Sequence, residues 1–166
     1  MTEIIITRMR LTPLQSLITW LSLALGTQRV AIIFGNHIWL DEYNKNEFAK
    51  AVKVFADPDN YPIIFHCSLG RDRTGTLAMV LEGLLGVDEN TLMMEYELSV
   101  FSYWGTNGGT KYNNGLRNLI HDTYLYINNN YEGDTFSQKV EDFLLEIGVS
   151  REEIASIKSI MLEEVE

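Results

Sequence analysis

Leu14, Leu17, Ile18, Leu21 and Leu25 recur at intervals of three and four, which predicts one apolar helical face from Pro13 to Gly26. The start of that helix is marked too: Thr12 at the N-cap, Pro13 at the first helical position, and Gln15 three residues after the cap. The same spacing predicts a helix over Asn44–Phe55 through Phe48, Val52 and Phe55, and another over Arg73–Leu85, ended by Gly86. Asp88 should cap the next helix, with Val87 and Leu92 as the apolar pair bracketing its start. Leu116, Leu119, Ile120, Thr123 and Ile127 mark a further helix. Phe136, Val140, Phe143, Leu144 and Ile147 mark another, closed by Gly148. Ser150-Arg151-Glu152-Glu153 reads as a capping box for the last, bracketed by Val149 and Ile154. Three segments instead carry β-branched apolar runs and read as strands: Glu3–Met9, Arg29–Phe34 and Ile63–Cys67. The Asp57–Pro62 stretch is a turn, and Phe101–Gly115 is a Gly/Asn-rich break.

Strands alternating with helices, followed by a run of helices, predict an α/β fold with a helical C-terminal half. The length of 166 residues suits one domain, residues 1–166, with residues 135–163 as a helical hairpin within it.

Composition narrows the function. The net charge of −10 argues against broad nucleic-acid binding, which depends on many Lys and Arg contacts to phosphates. A small anion is a different matter, because a few N–H groups and one or two arginines can hold it on an acidic protein. No apolar run reaches membrane-spanning length, and Met1–Pro13 lacks the layout of a signal peptide. A lone cysteine cannot form an internal disulfide and fits a reducing compartment. The expected location is therefore the cytoplasm, with leaderless export as the open alternative. His37 and His121 have no partners at metal-ligand spacing, so no metal or other cofactor is expected.

That cysteine, Cys67, closes the third predicted strand, and Arg73 stands six residues later where a helix should begin. The intervening Ser68-Leu69-Gly70-Arg71-Asp72 can curl its N–H groups around a tetrahedral oxyanion, aided by the helix terminus. Gly70 admits a backbone conformation other residues resist. Arg73 can fork two donors onto the anion. The same field should draw the thiol below its free pKa of about 8.5 and make it a nucleophilic thiolate. The bland alternative is a buried, inert cysteine. His66 is placed to hydrogen-bond backbone beside the loop, and Thr74 to donate to the sulfur.

His66-Cys67, then Arg73-Thr74-Gly75, resembles the signature of the cysteine-based protein tyrosine phosphatase superfamily. The fuller string HCSLGRDRTGT is similar to bacterial tyrosine and dual-specificity phosphatases whose loop reads HCxxGxDRTG. The flanks FADPDNYPIIFHC and LLGVDENTLMMEYELS, and the C-terminal FLLEIGVSREEIASIKSIML, extend the likeness from about Asp57 to Leu162. The resemblance implies a phosphotyrosine protein phosphatase-like fold, with a small, mainly parallel central sheet flanked by helices. It implies hydrolysis of phosphotyrosine through a phospho-cysteine, with phosphoserine/threonine or phosphoinositide as further substrate classes. Phosphate or sulfate would sit in the loop of Ser68, Leu69, Gly70, Arg71, Asp72 and Arg73. Its partners would be phosphorylated protein or phospholipid, with no nucleic acid and no stable membrane insertion.

Members of that superfamily usually carry a longer N-terminal half with an Arg-Asp-Leu-Gly-Gly turn. Here 66 residues precede Cys67 and the turn is absent, which implies a compact variant or a piece missing part of its sheet. A catalytically weak phosphate-binding module is therefore the alternative function. A rhodanese-like or arsenate-reductase-like enzyme is disfavoured by the Arg73-Thr74-Gly75 flank and the lack of further cysteines.

Cleavage of a phosphate ester needs an acid for the leaving oxygen. Asp72 comes first, because myotubularin-type lipid phosphatases also place Asp before the loop arginine. Asp41 comes second by its distance upstream; Asp57 and Asp59 belong to the turn. Asp72 has a structural alternative, pairing with loop N–H groups or an arginine. Arg71 either reads a second phosphate or is a solvated charge. Tyr103 and Trp104 either wall the pocket or anchor the break, and the terminal Glu163–Glu166 run is a solvated tail.

Overall fold

The computed structural model describes residues 2–6, 28–32, 38–39, 41–67, 70–98 and 114–162, with side chains described from residue 38 onward except at 114–119. Three short strands, β1 (Thr2–Ile6), β2 (Gln28–Ile32) and β3 (Ile63–His66), form a parallel sheet in the order β2-β1-β3. Thr2 lies opposite both Gln28 and Ile63, so β1 is the middle strand. The expected strands are thus present. β1 is described over Thr2–Ile6, with the rest of the expected stretch to Met9 outside the described residues, and β3 ends at His66, which leaves Cys67 just beyond that strand. The helix expected from Pro13 to Gly26 falls outside the described residues, as do His37, Tyr103, Trp104 and the terminal acidic run.

Six α-helices are described: α1 (Glu42–Lys53), α2 (Asp72–Leu84), α3 (Glu89–Leu98), α4 (Asn114–Asn130), α5 (Phe136–Glu146) and α6 (Arg151–Met161). Helix α1 begins two residues before the expected Asn44 because Asp41 caps it. Its expected end, Val54–Phe55, instead tightens with Ala56 into a 3-10 turn. The chain must become extended at Asp57, which precedes Pro58 and is disfavoured from helical backbone. Asp57 then caps a second such turn, Pro58–Asn60, so the turn expected at Asp57–Pro62 is present.

Helix α2 is the hub. It packs against α5, α3, α4, α1 and β3. Leu77, Val80, Leu81 and Leu84 of α2 are buried with Phe48 and Val52 of α1, Ile120 and Ile127 of α4, and Val140, Phe143 and Leu144 of α5. The C-terminal end of α2 closes with Gly86 N–H to Gly83 O (3.1 Å) and Val87 N–H to Glu82 O (3.0 Å), the paired bonds of a Schellman ending. Ser137 of α5 donates to Leu84 O at 2.7 Å and so satisfies another terminal carbonyl. The predicted cap at Asp88 is formed: its Oδ1 accepts from the N–H groups of Asn90 (3.0 Å) and Thr91 (3.2 Å). The capping box at Ser150 and Glu153 is also formed, and Thr135 with Gln138 makes a second one at the start of α5.

Candidate functional site: a cysteine–arginine loop at the head of a buried helix

Cys67 is 4% exposed and sits between β3 and the start of α2. Nδ1 of His66 lies 3.2 Å from the Cys67 carbonyl oxygen, which makes Nδ1 the protonated, donating nitrogen. The expected backbone tie from His66 is therefore present. Ser68 and Leu69 lie outside the described residues. Gly70 follows with φ +71°, and a Cβ built there would touch nothing within 4 Å. Its requirement is thus the left-handed backbone rather than space.

Helix α2 starts at Asp72, one residue before the expected Arg73, so Arg73 and Thr74 both lie in its first turn. Arg71 holds the N-cap position but contributes no side-chain cap. The first N–H groups of α2 therefore point out of the helix without an internal partner. Nη1 of Arg73 and Oγ1 of Thr74 are buried and have no hydrogen-bond partner among the described residues. The hydrogen bond expected from Thr74 to the sulfur is accordingly not formed.

Arg71 is not the solvated charge that one expectation allowed. Its side chain is 17% exposed, and its Nε donates to Asp72 Oδ1 at 3.2 Å. Asp72 thereby makes the arginine pairing expected of a structural carboxylate. A residue that the sequence did not single out joins it. The hydroxyl of Tyr96, on α3, donates to the same Oδ1 at 3.4 Å. Burial, and then the nearby Asp72 charge, push the Tyr96 hydroxyl up to about 12. The spacing of Leu92, Met93 and Tyr96 foretells that Tyr96 faces inward. Nothing local foretells that its hydroxyl meets a carboxylate 24 residues away.

Asp41 is held elsewhere. Its Oδ1 accepts from Asn44 N–H and its Oδ2 from Asn44 Nδ2, both at 2.8 Å. Among the described residues no hydrogen bond or ion pair joins Asp41 to the loop. Asp57 is likewise a cap, accepting from Asp59 N–H at 3.0 Å. His121 is half-buried on α4, and no group of His, Cys, Asp and Glu among the described residues could hold a metal ion. No described helix is long and apolar enough to cross a membrane.

A cysteine after a parallel strand, a glycine in left-handed backbone and an arginine with a buried Nη1 in the first turn of the next helix define the cysteine-based class of phosphatase loops. Residues 36–163 match the model of the tyrosine phosphatase family, and the chain belongs to that family. It is 32% identical over 75 residues to OCA1 of Yarrowia lipolytica, named as a candidate tyrosine-protein phosphatase; the match covers 45% of this chain and 28% of that protein. It is 41% identical over 46 residues to DG1060 of Dictyostelium discoideum, also named as a candidate tyrosine-protein phosphatase, covering 28% of each. The crystal structure of the core catalytic domain of the PP-IP phosphatase SIW14 from S. cerevisiae, in complex with citrate, is similar over 72% of this chain and 65% of that one, with TM-score 0.49 and 19% identity. The chain spans about a third of the length of the curated relatives it matches, 28% and 35% for two OCA1 proteins. These relatives are eukaryotic, so they lend nothing to the bacterial side of the expected resemblance.

Proposed function

We propose that this chain has the phosphotyrosine protein phosphatase-like fold and hydrolyses phosphoric monoesters, phosphotyrosine first among them, through a phospho-cysteine on Cys67. The observation that carries the reading is the buried Nη1 of Arg73, which has no hydrogen-bond partner among the described residues and lies in the first turn of the helix that follows Cys67. A buried guanidinium nitrogen without an acceptor is costly, and an oxyanion in the 67–73 loop would satisfy it.

In this reading the Cys67 thiolate attacks phosphorus in line. The S–P bond forms as the P–O bond to the leaving group breaks. Arg73 and the N–H groups from Ser68 to Arg73 hold the three equatorial oxygens, where charge collects in the transition state. Asp72 gives its proton to the leaving oxygen. It stands ahead of Asp41, whose two carboxylate oxygens are taken up in the α1 cap. Water then attacks phosphorus and gives a proton to Asp72. The S–P bond breaks, returning thiolate and inorganic phosphate. Thr74 donates to the sulfur as it leaves, after turning its hydroxyl toward it. Shallow access to Cys67 would add phosphoserine, phosphothreonine or phosphoinositide to the substrates.

The test is turnover of a phosphotyrosine peptide by wild type and Cys67→Ser. Wild type should hydrolyse it, and the variant should lose roughly a thousandfold or more, as expected when a nucleophile is removed. If wild type releases no phosphate from any of a panel of phosphopeptides and phosphoinositides, the enzyme reading fails. Phosphate that still protects the sole cysteine from alkylation would then leave a phosphate-binding module.

A further inference from the structure

We infer that Tyr96 is a positioning residue for Asp72: its hydroxyl and Arg71 together hold Oδ1, which leaves Oδ2 as the oxygen that carries the proton. The inference rests on the phosphatase reading above and deepens it.

Two donors from different elements converge on one carboxylate oxygen. Arg71 Nε, from the loop, is 3.2 Å from Oδ1, and Tyr96 Oη, from α3, is 3.4 Å from it. No described donor reaches Oδ2. The Tyr96 bond is long for a hydroxyl on a carboxylate, so its value depends on how firmly the ring is held. It is held firmly. Tyr96 is 7% exposed, and its ring lies against the first turns of α2 at Gly75. A Cβ on Gly75 would fall 2.8 Å from Cδ2 and 2.9 Å from Cε2 of that ring, a separation that real structures essentially never show. The glycine of the Arg73-Thr74-Gly75 string therefore has a specific task, to let the ring lie close enough for its hydroxyl to reach Asp72. The high pKa of the buried hydroxyl keeps it a donor across the neutral range.

The consequence is geometric. Asp72 must first hold a proton and deliver it to the leaving oxygen, then take one from water. With Oδ1 tied by two donors, the carboxyl plane is fixed and the transferable proton sits on Oδ2. Tyr96 transfers no proton itself. Losing its hydroxyl should matter only where the leaving oxygen needs an acid.

The experiment compares kcat/KM for phenyl phosphate, a poor leaving group, with that for p-nitrophenyl phosphate, a good one. Tyr96→Phe keeps the ring and its packing, so the fold should survive. It should lower kcat/KM for phenyl phosphate about five- to tenfold while changing p-nitrophenyl phosphate by no more than about twofold. In an Asp72→Asn background, Tyr96→Phe should cost nothing further, since the group it positions is gone. Gly75→Ala, which displaces the ring but keeps the hydroxyl, should reproduce the selective loss. An equal loss on both substrates, or a loss that adds to that of Asp72→Asn, overturns the inference and leaves the phosphatase reading standing. If wild type turns over neither substrate, this inference falls, and the phosphatase reading is decided separately by the panel of phosphopeptides and phosphoinositides.

Discussion

The segment from Cys67 through α2 to α3 and the α5–α6 pair treat their polar groups in opposite ways. At the start of α5, Thr135 Oγ1 accepts from Gln138 N–H at 3.3 Å, and Gln138 Oε1 accepts from Thr135 N–H at 3.1 Å. At the start of α6, Ser150 Oγ accepts from Glu153 N–H at 3.1 Å, and Glu153 Oε2 accepts from Ser150 N–H at 2.7 Å. Glu141 and Lys158 tie the two helices together, and Lys45 of α1 reaches Glu146 at 2.7 Å. Helix α2 begins instead without a side-chain cap, holds Arg73 Nη1 and Thr74 Oγ1 buried without hydrogen-bond partners among the described residues, and sets Glu82 beside the like-charged Glu95. One region satisfies its helix starts locally, while the other retains donors without described partners that a bound oxyanion would satisfy. That contrast makes opposite forecasts for substitutions in the two regions.

The largest effect is expected at Glu82. Burial, and then the neighbouring Glu95, raise its carboxyl from 4.5 to about 7. The folded state thus holds this proton more tightly than the unfolded state. Below pH 4.5 both states are protonated and Glu82 contributes nothing. As pH rises from 4.5 to 7 the unfolded chain releases the proton first, so stability falls, and the full penalty applies above pH 7. The pKa gap caps that penalty near ~3 kcal/mol, and the partial exposure of Glu82 brings it to about 2 kcal/mol. Glu82→Gln should therefore leave the melting temperature unchanged at pH 4 and raise it by about 4–8 °C at pH 8. An equal gain at both pH values would show that burial of the side chain, not its charge, sets the cost.

Thr74→Val sharpens the same contrast at the loop. Valine matches threonine in shape and removes a buried hydroxyl that has no partner among the described residues. Where only one group is orphaned, an apolar isostere removes the desolvation penalty, so the variant should gain about 1 kcal/mol in denaturant unfolding. It should also slow hydrolysis of the phospho-cysteine, which a longer-lived covalent intermediate in rapid-quench measurements would reveal. A variant less stable than wild type would mean that the hydroxyl is already satisfied, and the contrast between the regions would weaken.

What could be read from the sequence follows how far each interaction reaches. The cap at Asp88, the box at Ser150 and the ends at Gly86 and Gly148 are written within six residues, and each stands where the pattern puts it. Asp41 is the same kind of signal: Asn44 three residues on marks it as an N-cap, and its distance upstream of Cys67 suggested an acid instead. The Thr135–Gln138 box is equally local, although Phe136 is the more conspicuous marker of that helix start. The middle place of β1 and the meeting of Tyr96 with Asp72 are different in kind. Both are set by how distant segments pack, and no spacing rule carries them. Cys67, Gly70 and Arg73 stand out in the sequence because one short loop holds all three.

The smallest effect is expected at Ser150→Ala. The substitution removes the acceptor for Glu153 N–H at the start of α6 and keeps the backbone N–H of residue 150 that donates to Glu153 Oε2. The helix end is exposed, so water replaces part of what is lost, and the cost should be about 0.5–1 kcal/mol. The sign is the informative part. Removing a hydroxyl from the capped region should destabilise, whereas removing one from the first turn of α2 should stabilise. Equilibrium unfolding of Ser150→Ala and Thr74→Val measured side by side decides it. If both changes shift stability in the same direction, the division between a region built for stability and one built to receive an anion does not hold.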